Sequence, residues 1–593
     1  MKKSVLIAAS ALLQFAIAHA QINYTVDANA FLGASLEGGN TQLQLVDADQ
    51  DGFLDLVSIG DHGSPNINTN QHGVMVWFGD GTGTNFQISM NGTGFGYGGC
   101  AVADINNDGK QDIAYSCHHS GKLIDAMIGD GTGKNWSAYG TGLNTAGETY
   151  GMFGTDLGDV NNDGWLDIAS NSFGNGNGVH IYKNNKNGSW TNAATYAKAG
   201  NVGRYVKFGD IDGDGNLDFV VSNELVAAYF GNGTGTFTNK DNGLPIPING
   251  QAYEDVSLGD IDNDGDDDFV FSNWNAAGVR SVNVYAWNKG TQQWDNHSTG
   301  LPTSTASFFY INRLADMDMD GYLDVIAMNY DTKALEIYKG NGGASWSLNK
   351  SIPFPNSYWA QVPDMAINDV NHSGYPDIAL MYSSTVSANT LVMIKDDVVP
   401  TDLSAALTYP KGSECWPNNA VRFINWVTGV AGNHSSKVKI EYSTTGNTGP
   451  WIVIAATAPN NGIFQWNVPA TVNSSTCFIR VTATDNVTSQ TAITMNANPF
   501  SMGCNSSQTG VNEQASVNSV SVFPNPMNES TVIYSEQKNC SVNILDVTGN
   551  VVKRFSNVSQ FPFTMERSNL ASGVYVLEIR STDRMERKKL VIE

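Results

Sequence analysis

A nine-residue acidic loop, Asp210-Ile-Asp-Gly-Asp-Gly-Asn-Leu-Asp218, holds the residues of this chain that are best suited to chemistry. Its carboxylates at positions 1, 3, 5 and 9 can converge on one hard cation, and calcium takes about six to eight oxygen ligands at flexible distances. Gly215 at position 6 permits the sharp turn that the loop requires. Apolar residues lie on both sides, Phe208 before it and Phe219 after it. The spacing therefore predicts a calcium-binding loop that connects two strands of a β-hairpin.

The same loop occurs seven times (loops 1 to 7), with 57, 55, 51, 50, 56 and 53 residues between successive first positions. A period of about fifty residues predicts a repeat architecture. An EF-hand would need an acid at position 12, where no copy has one, and tandem nonapeptide calcium repeats would lie closer together. The ligands predicted at positions 1, 3, 5 and 9 are Asp47, Asp49, Asp51 and Asp55; Asp104, Asn106, Asp108 and Asp112; Asp159, Asn161, Asp163 and Asp167; Asp210, Asp212, Asp214 and Asp218; Asp260, Asp262, Asp264 and Asp268; Asp316, Asp318, Asp320 and Asp324; and, in loop 7, Asp369, Asn371 and Asp377.

The composition is acidic but not that of a disordered chain. Lys and Arg number 32 against 57 Asp and Glu, a formal net charge of −25, which argues against nucleic acid as a partner. The hydrophobic fraction of 41% predicts packed cores. The 24 acids in the loops concentrate much of the charge where bound calcium would neutralise it. The 61 glycines suit short strands and many turns, as in an all-β fold.

The N-terminus predicts export. Residues 1–20 join Met1-Lys-Lys to an apolar stretch and end in Ala18-His-Ala20, which is the pattern of a secretory signal peptide. No later stretch approaches the roughly eighteen apolar residues of a membrane helix, so we expect no membrane span. The mature chain is predicted to begin at Gln21.

Six cysteines follow the signal peptide, and none has a catalytic setting. Cys100 and Cys117 are nearly equidistant from the centre of loop 2 and should face each other across its hairpin, as a disulfide or as two buried thiols. The others are Cys415, Cys477, Cys504 and Cys540, of which Cys415 and Cys477 are the expected pair.

Each of the first six repeats has the order strand, acid loop, strand, connection, third strand, glycine-rich turn and fourth strand. Phe78-Gly-Asp-Gly-Thr-Gly-Thr-Asn-Phe86 is one such turn. Four antiparallel strands in about fifty residues are typical of a propeller blade. The seventh repeat is cut short after its third strand, and Ile22-Asn-Tyr-Thr-Val26 can supply the fourth, which would leave no open sheet edge. We therefore predict an all-β chain with a seven-bladed β-propeller over residues 21–397.

These loops and turns resemble the FG-GAP/VCBS repeats of integrin α-subunit propellers and of many secreted bacterial proteins, over roughly residues 21–397. The resemblance implies calcium in the hairpin loops on one face and ligands on the opposite face. Loops 2 and 3 depart slightly, because Asn106 and Asn161 offer a carbonyl oxygen in place of a carboxylate. In loop 7, Asn371 and Ser373 replace acids and Pro376 precedes the last aspartate. We therefore expect about six calcium ions and leave the seventh site open.

Two smaller domains are predicted after the propeller. Residues 401–505 contain alternating strands at sandwich spacing and resemble an immunoglobulin/fibronectin-type module, and 506–518 form a polar linker. Residues 519–593 predict a small β-sandwich with a hairpin at Thr548-Gly-Asn550. Their Pro524-Asn-Pro526, Ser572-Gly-Val-Tyr575 and Lys588-Lys-Leu590 signals resemble the C-terminal sorting domain of type IX secretion substrates in Bacteroidetes. The resemblance implies the type IX machinery as a partner and a final location outside a Gram-negative cell or on its outer-membrane surface, while a third adhesive sandwich is the alternative.

Catalytic templates are missing from the sequence: it has no Gly-x-Ser-x-Gly elbow, no His-Glu-x-x-His and no phosphate-binding glycine loop before a helix. One constellation repeated seven times in hairpin turns indicates a structural role for the acids. The connections on the face away from the acid loops carry aromatic rings beside amides and carboxylates, which suits sugar or peptide binding. The candidate ligand-binding residues there are His62, Tyr97, His119, Tyr253, Trp274, Tyr330, Asp331 and Trp359, and each aromatic has packing between blades as its alternative role.

The leading hypothesis is a secreted, calcium-stabilised propeller that binds an extracellular glycan or protein, with no catalytic residue assigned. The rival is a polysaccharide lyase or hydrolase acting at the central cleft, which would need cationic residues or paired acids converging on the axis. The sequence offers Arg204, Arg280 and Lys333 in that region without a known arrangement. A structural surface component without a defined ligand is the third possibility.

Overall fold

The computed structural model is all-β in the part of the chain that it describes, with 45 strands, one 3-10 turn at Ala431–Asn433 and no α-helix. Contacts divide the chain into two compact units, residues 1–508 and 509–593. No helix among the described residues is long and apolar enough to cross a membrane. The described residues are 22–31, 42–60, 73–91, 96, 98–117, 123–143, 148, 151–172, 176–197, 203–223, 226–245, 255–274, 278–305, 309–329, 331–353, 364–381, 391–504, 521–523, 525, 527–528, 530–535, 540–546, 551–580 and 585–592.

Twenty-nine strands precede residue 397, and the second strand of each repeat begins at the ninth residue of an acid loop. They are β1 Tyr24–Asp27, β2 Gln44–Val46, β3 Asp55–Ile59, β4 Val74–Phe78, β5 Gln87–Asn91, β6 Cys100–Ala103, β7 Asp112–Ser116, β8 Ile124–Gly129, β9 Trp136–Ala138, β10 Met152–Gly158, β11 Asp167–Ser172, β12 Val179–Asn184, β13 Trp190–Tyr196, β14 Gly203–Gly209, β15 Asp218–Asn223, β16 Val226–Gly231, β17 Phe237–Asn239, β18 Val256–Gly259, β19 Asp268–Trp274, β20 Arg280–Asn288, β21 Gln293–Asn296, β22 Thr303–Ser304, β23 Phe309–Ala315, β24 Asp324–Asn329, β25 Ala334–Lys339, β26 Ser347–Pro353, β27 Asp364–Asn368, β28 Asp377–Met381 and β29 Leu391–Asp396.

These strands form antiparallel sheets in sequence order, each built on one acid loop. Six of them are β2-β3-β4-β5, β6-β7-β8-β9, β10-β11-β12-β13, β14-β15-β16-β17, β18-β19-β20-β21 with β22 beside β20, and β23-β24-β25-β26. The sheet on loop 7 has the order β1-β29-β28-β27, so the N-terminal strand supplies its fourth strand, as predicted. Sheets of this form are propeller blades, which confirms the predicted fold class.

Apolar side chains hold neighbouring sheets together. The second strands are buried along their length, as in β3, whereas fourth strands such as β26 are largely exposed. A tryptophan at or next to the start of a fourth strand ties adjacent sheets in three places, because its indole Nε1 donates to a carbonyl just after the preceding sheet's fourth strand. Trp190 donates to Tyr139 O at 2.7 Å, Trp294 to Lys240 O at 2.6 Å and Trp346 to His297 O at 2.7 Å. The aromatic residues of the glycine-rich turns are thus part of the inter-sheet core.

Residues 401–504 form two sheets around one core. Their strands are β30 Ala406–Tyr409, β31 Cys415–Trp416, β32 Val421–Val427, β33 Ser436–Ser443, β34 Ile452–Pro459, β35 Ile463–Asn467, β36 Ser474–Asp485, β37 Thr491–Met495 and β38 Phe500–Met502. One sheet has the order β30-β32-β35, and the other β31-β38-β36-β33-β34 with β37 beside β36. Trp416, Trp426 and Trp466 are buried between them, so these rings are core residues.

The unit of residues 509–593 is a second, smaller pair of sheets. Its strands are β39 Ser521–Phe523, β40 Ser530–Tyr534, β41 Cys540–Leu545, β42 Val551–Val558, β43 Phe563–Glu566, β44 Gly573–Arg580 and β45 Met585–Ile592. The sheets are β39-β40-β43 and β42-β41-β44-β45, with Ile544 and Leu577 in the shared core. The predicted turn at residues 548–550 lies outside the described residues, but β41 and β42 on either side of it pair antiparallel.

The predicted disulfide between Cys415 and Cys477 is wrong, because Cys415 is bonded to Cys504. Strand β38 lies between β31, which carries Cys415, and β36, which carries Cys477. Two strand spacings amount to about 9.6 Å, which exceeds the reach of a disulfide. Cys477 is instead a buried thiol of the core, and Cys100 is also a buried free thiol. The disulfide alternative for Cys100 and Cys117 is therefore not realised.

Candidate metal centres

The aspartate at position 9 clamps each acid loop to its sheet. In loop 4, Asp218 Oδ2 accepts a hydrogen bond from Ile211 N at 2.8 Å, and Oδ1 accepts one from Gly231 N at 2.6 Å. The same two bonds, to position 2 of the loop and to the end of the third strand, recur in loop 1 at Asp55. They hold the loop in shape through the protein's own donors.

Position 1 and the glycine at position 6 form a second shared contact. Asp210 Oδ2 accepts from Gly215 N at 2.9 Å, and Gly215 has φ +88°, which a residue with a Cβ rarely adopts. Asp214 at position 5 accepts from Asn216 N at 2.8 Å. These bonds fix the loop backbone around the aspartates and leave other carboxylate oxygens unused.

The unused oxygens converge. In four loops, three carboxylates have one oxygen each within 4.8 Å of the others. Buried oxygens with no hydrogen-bond donor are Asp47 Oδ1 and Asp49 Oδ1 in loop 1, Asp210 Oδ1 in loop 4 and Asp318 Oδ1 in loop 6. A buried acceptor left unpaired is costly, and a cation would satisfy it. These clusters could therefore hold metal ions; they are Asp47, Asp49 and Asp55; Asp210, Asp212 and Asp218; Asp260, Asp262 and Asp268; and Asp316, Asp318 and Asp320.

Electrostatics point the same way. Burial raises the pKa of Asp55 and of Asp324 to about 8, and repulsion from the neighbouring loop carboxylates adds to it. Burial and then repulsion likewise raise the pKa of Asp260 to about 7 and that of Asp218 well above its usual value. A cation bound among these groups would offset both effects.

Loops 2 and 3 keep the same backbone contacts with asparagine at position 3. Asn106 Oδ1 accepts from Asp108 N at 2.9 Å, and Asn161 Oδ1 accepts from Asp163 N at 3.2 Å. The amide oxygen thus replaces a carboxylate oxygen in the turn, so each of these two loops has three predicted carboxylate ligands and one neutral amide ligand.

Loop 7 is completed by a residue that the sequence analysis missed. Asp396, at the end of β29, accepts from Ser373 Oγ at 2.7 Å and from Asn371 Nδ2 at 3.4 Å, while its own N donates to Asp377 Oδ1. Its second oxygen accepts from Val398 N. The carboxylate that loop 7 lacks at position 5 is thus replaced from the third strand, in a network of hydrogen bonds. No local signal marks it, because the separation between position 9 and the end of the third strand varies from 13 residues (Asp218 to Gly231) to 23 residues (Asp55 to Phe78) among the repeats.

Lysines approach some of the loops as built-in cations. In loop 6, Lys339 Nζ contacts Asp318 and lies 2.8 Å from Asp320 Oδ2. In loop 3, Lys186 Nζ lies 3.2 Å from Asp163 Oδ2. Both lysines follow or end a third strand, so the glycine-rich turns bring positive charge to the same side of the sheets as the acid loops.

Most of the predicted ligand-binding residues cannot be placed. His62, Tyr97, His119, Tyr253, Tyr330 and Trp359 lie outside the described residues, as does the side chain of Trp274, the last residue of β19. Asp331 is exposed, and its N donates to Asn329 Oδ1 at 3.1 Å. The ligand-binding face therefore stays a prediction.

A buried His–Glu pair joins Glu148, in the connection before β10, to His180 at the start of β12, and the sequence analysis missed it. His180 Nε2 is 2.7 Å from Glu148 Oε1, and both side chains are fully enclosed. Asn177 N donates to the same Glu148 oxygen at 2.9 Å, and Asn192 Nδ2 lies 3.2 Å from His180 Nδ1. Since neither side chain reaches solvent, the pair ties the connection before β10 to strand β12 and offers no accessible acid or base.

Charged residues that the sequence analysis did not single out border the axis of the sheets. Arg313 on β23 binds Asp255 and Asp364, which belong to the two neighbouring sheets. Lys207 Nζ lies 3.4 Å from Asp156 Oδ1, and a cavity of about 220 Å³ borders Lys207, Arg313 and Asp364. Both cations already have acidic partners on neighbouring sheets, so the group serves as an ion-pair clasp between sheets beside the axis.

Comparisons with known proteins agree with the repeat and tail predictions. A family model described as an FG-GAP-like repeat matches residues 37–115, 159–221 and 316–380, and one described as a secretion system C-terminal sorting domain matches residues 521–593. No curated protein matches the chain. Among solved structures, the chain is similar to PorZ, a bacterial surface component of the type-IX secretion system of Porphyromonas gingivalis, with 10% identity, coverage of 93% of this chain and 86% of that chain, and a TM-score of 0.17. So low a score adds nothing to the functional assignment.

Proposed function

Because this chain carries FG-GAP-like repeats and a type IX secretion sorting domain, and is thereby a secreted or cell-surface protein, we propose that it is a calcium-stabilised propeller that binds a glycan or protein outside the cell. The observation that carries the proposal is the set of buried, donorless carboxylate oxygens in the acid loops. The atoms that would coordinate the ion are oxygens of short side chains on tight turns, and oxygen ligands of this kind suit calcium.

The expected occupancy differs between loops. Loops 1, 4, 5 and 6 each gather three carboxylates, and loops 2 and 3 keep the geometry with one amide oxygen. Loop 7 is satisfied by Asp396 through hydrogen bonds. About six calcium ions remain the expectation, and loop 7 is the one expected to stay metal-free.

The position of the sandwich supports ligand binding on the opposite face. Residues of the 401–504 region contact the acid loops, for example Asn461 Nδ2, which donates to Asp47 Oδ2 at 3.1 Å. The acid-loop face is thus partly covered within the chain. The connections on the other side, with their aromatic, amide and carboxylate residues, are the surface for an extracellular ligand.

The test uses the full mature chain in calcium and in a chelator, on a glycan array and in a thermal melt. We expect calcium to raise the melting temperature and discrete glycans to bind. Calcium-dependent melting without glycan binding would move the ligand to a protein partner, to be sought by crosslinking on the surface of the parent cells. A melting temperature indifferent to chelator would refute the metal assignment. New reducing ends from a polysaccharide would favour the enzyme alternative.

A further inference from the structure

Strands β30–β38, here called the cap, contact nearly every acid loop through polar atoms. Each contact joins a cap residue to position 1, 4 or 6 of a loop or to a neighbouring carbonyl. They are Asn461 to Asp47, Gln465 to Asp104, Val421 to Asp159, Arg422 to Gly215, Lys411 to Gly321 and Asn460 to His372. The cap therefore forms hydrogen bonds with the acid loops themselves.

Two of these contacts reach carboxylates that belong to the proposed metal ligands. Val421 N donates to Asp159 Oδ2 at 3.0 Å, on the oxygen that also accepts from Gly164 N. Asn461 Nδ2 donates to Asp47 Oδ2 and leaves Asp47 Oδ1 without a donor. Donors on the outer oxygen fix the rotation of a carboxylate, so that its other oxygen stays directed at the ion.

Two cap cations bind glycine carbonyls at position 6. Arg422 is 6% exposed and donates to Gly215 O at 2.5 Å, and its charge interacts favourably with Asp159 and Asp210. Lys411 Nζ donates to Gly321 O at 2.8 Å. The guanidinium is thus buried between loops 3 and 4 and depends on their shape.

Apolar contacts between cap and propeller accompany the polar ones. One cluster joins Val421 to Ala103 and Leu166, with Phe423 beside it. Near the axis, a cavity of about 380 Å³ lies between cap and propeller, bordered by Trp426 of the cap. Where this cavity lies, the cap is not packed against the sheets, so the polar contacts with the loops contribute to how firmly it docks.

The glycines at position 6 also make room for the cap. A Cβ on Gly215 would lie 2.6 Å from Cys415 Sγ, and one on Gly265 would lie 2.7 Å from the carbonyl carbon of Ser413. The loop backbone and the cap backbone thus meet in direct contact, so a change in loop shape is transmitted to the cap.

We propose that docking of the cap and metal binding by loops 1, 3 and 4 are thermodynamically coupled, with Asn461, Val421 and Arg422 as positioning residues for the loops. The inference rests on the proposed calcium binding and adds the cap to it. Coupling is reciprocal: metal tightens the cap by the same factor by which the docked cap tightens metal, and a factor of about 5 to 150 is typical.

The first test measures calcium affinity of the full chain by competition with a chromophoric chelator. Arg422→Met and Asn461→Ala should each weaken the tightest affected sites by about fivefold or more. The matched control is Lys437→Met, an exposed cation of the same cap, which should leave affinity unchanged. Equal affinities in all three variants and the unaltered chain would overturn the coupling.

The second test needs no substitution. Val421 N bonds to Asp159, and Val430 N donates to His372 O at 2.8 Å, so their amide hydrogen exchange reports docking directly. Chelation should speed both by about fivefold or more, while β33 within the cap keeps its rate. Unchanged exchange at both amides in a chain that does bind calcium overturns the coupling, even if a variant loses affinity. A chain that binds no calcium in either experiment fails the proposed function instead.

Discussion

Replacing Asp47 by asparagine is expected to destabilise the protein in calcium and to stabilise it in a chelator. Asp47 is 2% exposed; its Oδ2 accepts from Gly52 N and from Asn461 Nδ2, both at 3.1 Å, and Oδ1 has no donor. An amide oxygen can take the place of Oδ2 and keep both hydrogen bonds. The substitution therefore removes a charge and a free oxygen and changes little else.

The size of the effect in chelator follows from burial. Burial is the main reason that the pKa of Asp47 rises from 3.8 to about 6, with repulsion from Asp51 and Asp49 adding to it. At about 1.36 kcal/mol per pKa unit, the ionised carboxylate costs the folded state about 3 kcal/mol above pH 6. Between about pH 4 and 6 the folded state binds more protons than the unfolded chain, so the free energy of unfolding falls as pH rises. The variant should lose this part of the pH dependence.

In calcium the sign reverses. A site at a thousandfold excess of free calcium over its Kd stabilises the folded state by about 4.1 kcal/mol. That exceeds the roughly 3 kcal/mol that the ionised carboxylate costs, so a variant that loses the site is less stable by about 1 kcal/mol. The assay is urea unfolding at pH 8, followed by tryptophan fluorescence, in calcium and in chelator. Asp402→Asn, at an exposed position, is the control and should leave the free energy of unfolding unchanged in both solutions. Equal destabilisation in both solutions would mean that the ionised carboxylate of Asp47 stabilises the folded state without an ion, and the reasoning would fail.

Four further results are expected. Arg313→Met should lower the free energy of unfolding by about 3–5 kcal/mol, because it leaves two buried aspartates unpaired, and loss below 1 kcal/mol in urea unfolding would contradict the clasp. Cys504→Ser should cost about 2–4 kcal/mol, and alkylation with mass spectrometry should find Cys504 joined to Cys415 in the unaltered protein. Deleting residues 21–27 should expose the edge of β29 and cause self-association in size-exclusion chromatography; a stable monomer would contradict ring closure. Lys339→Met should tighten calcium binding at loop 6, because the ammonium competes for the same carboxylates, and weaker binding would refute that role.

The repeats were predictable because their signal is local. Nine consecutive residues specify an acid loop, and the strand that follows begins at position 9, so the sheet order and the closing strand β1 follow from counting repeats. Side chains contributed from other strands were not predictable in this way. Asp396 reaches loop 7 from a strand end, and Arg313 meets its partners 58 and 51 residues away in the two neighbouring sheets.

The cap contacts lay further beyond reach, because they join residues that no local pattern relates. Gln465 and Asp104 are 361 positions apart, and Val421 reaches Asp159 across 262. The disulfide error has the same origin: among three cysteines of one sandwich, the pair depends on which strands are neighbours, and β38 lies where Cys477 had been expected to meet Cys415.

The hydrogen bonds of the acid loops imply an order of events when metal is removed. Position 9 is clamped by backbone donors of its own sheet, as at Asp218, so each hairpin keeps its shape without an ion. The aspartate at position 1 is held differently. In loops 1 and 3, Oδ2 of Asp47 and of Asp159 accepts one hydrogen bond from the loop and one from the cap. Loss of the ion therefore strains the contacts with the cap before it strains the sheets. Chelation should accordingly loosen the contacts between the acid loops and the cap while the propeller strands persist, which amide hydrogen exchange would detect.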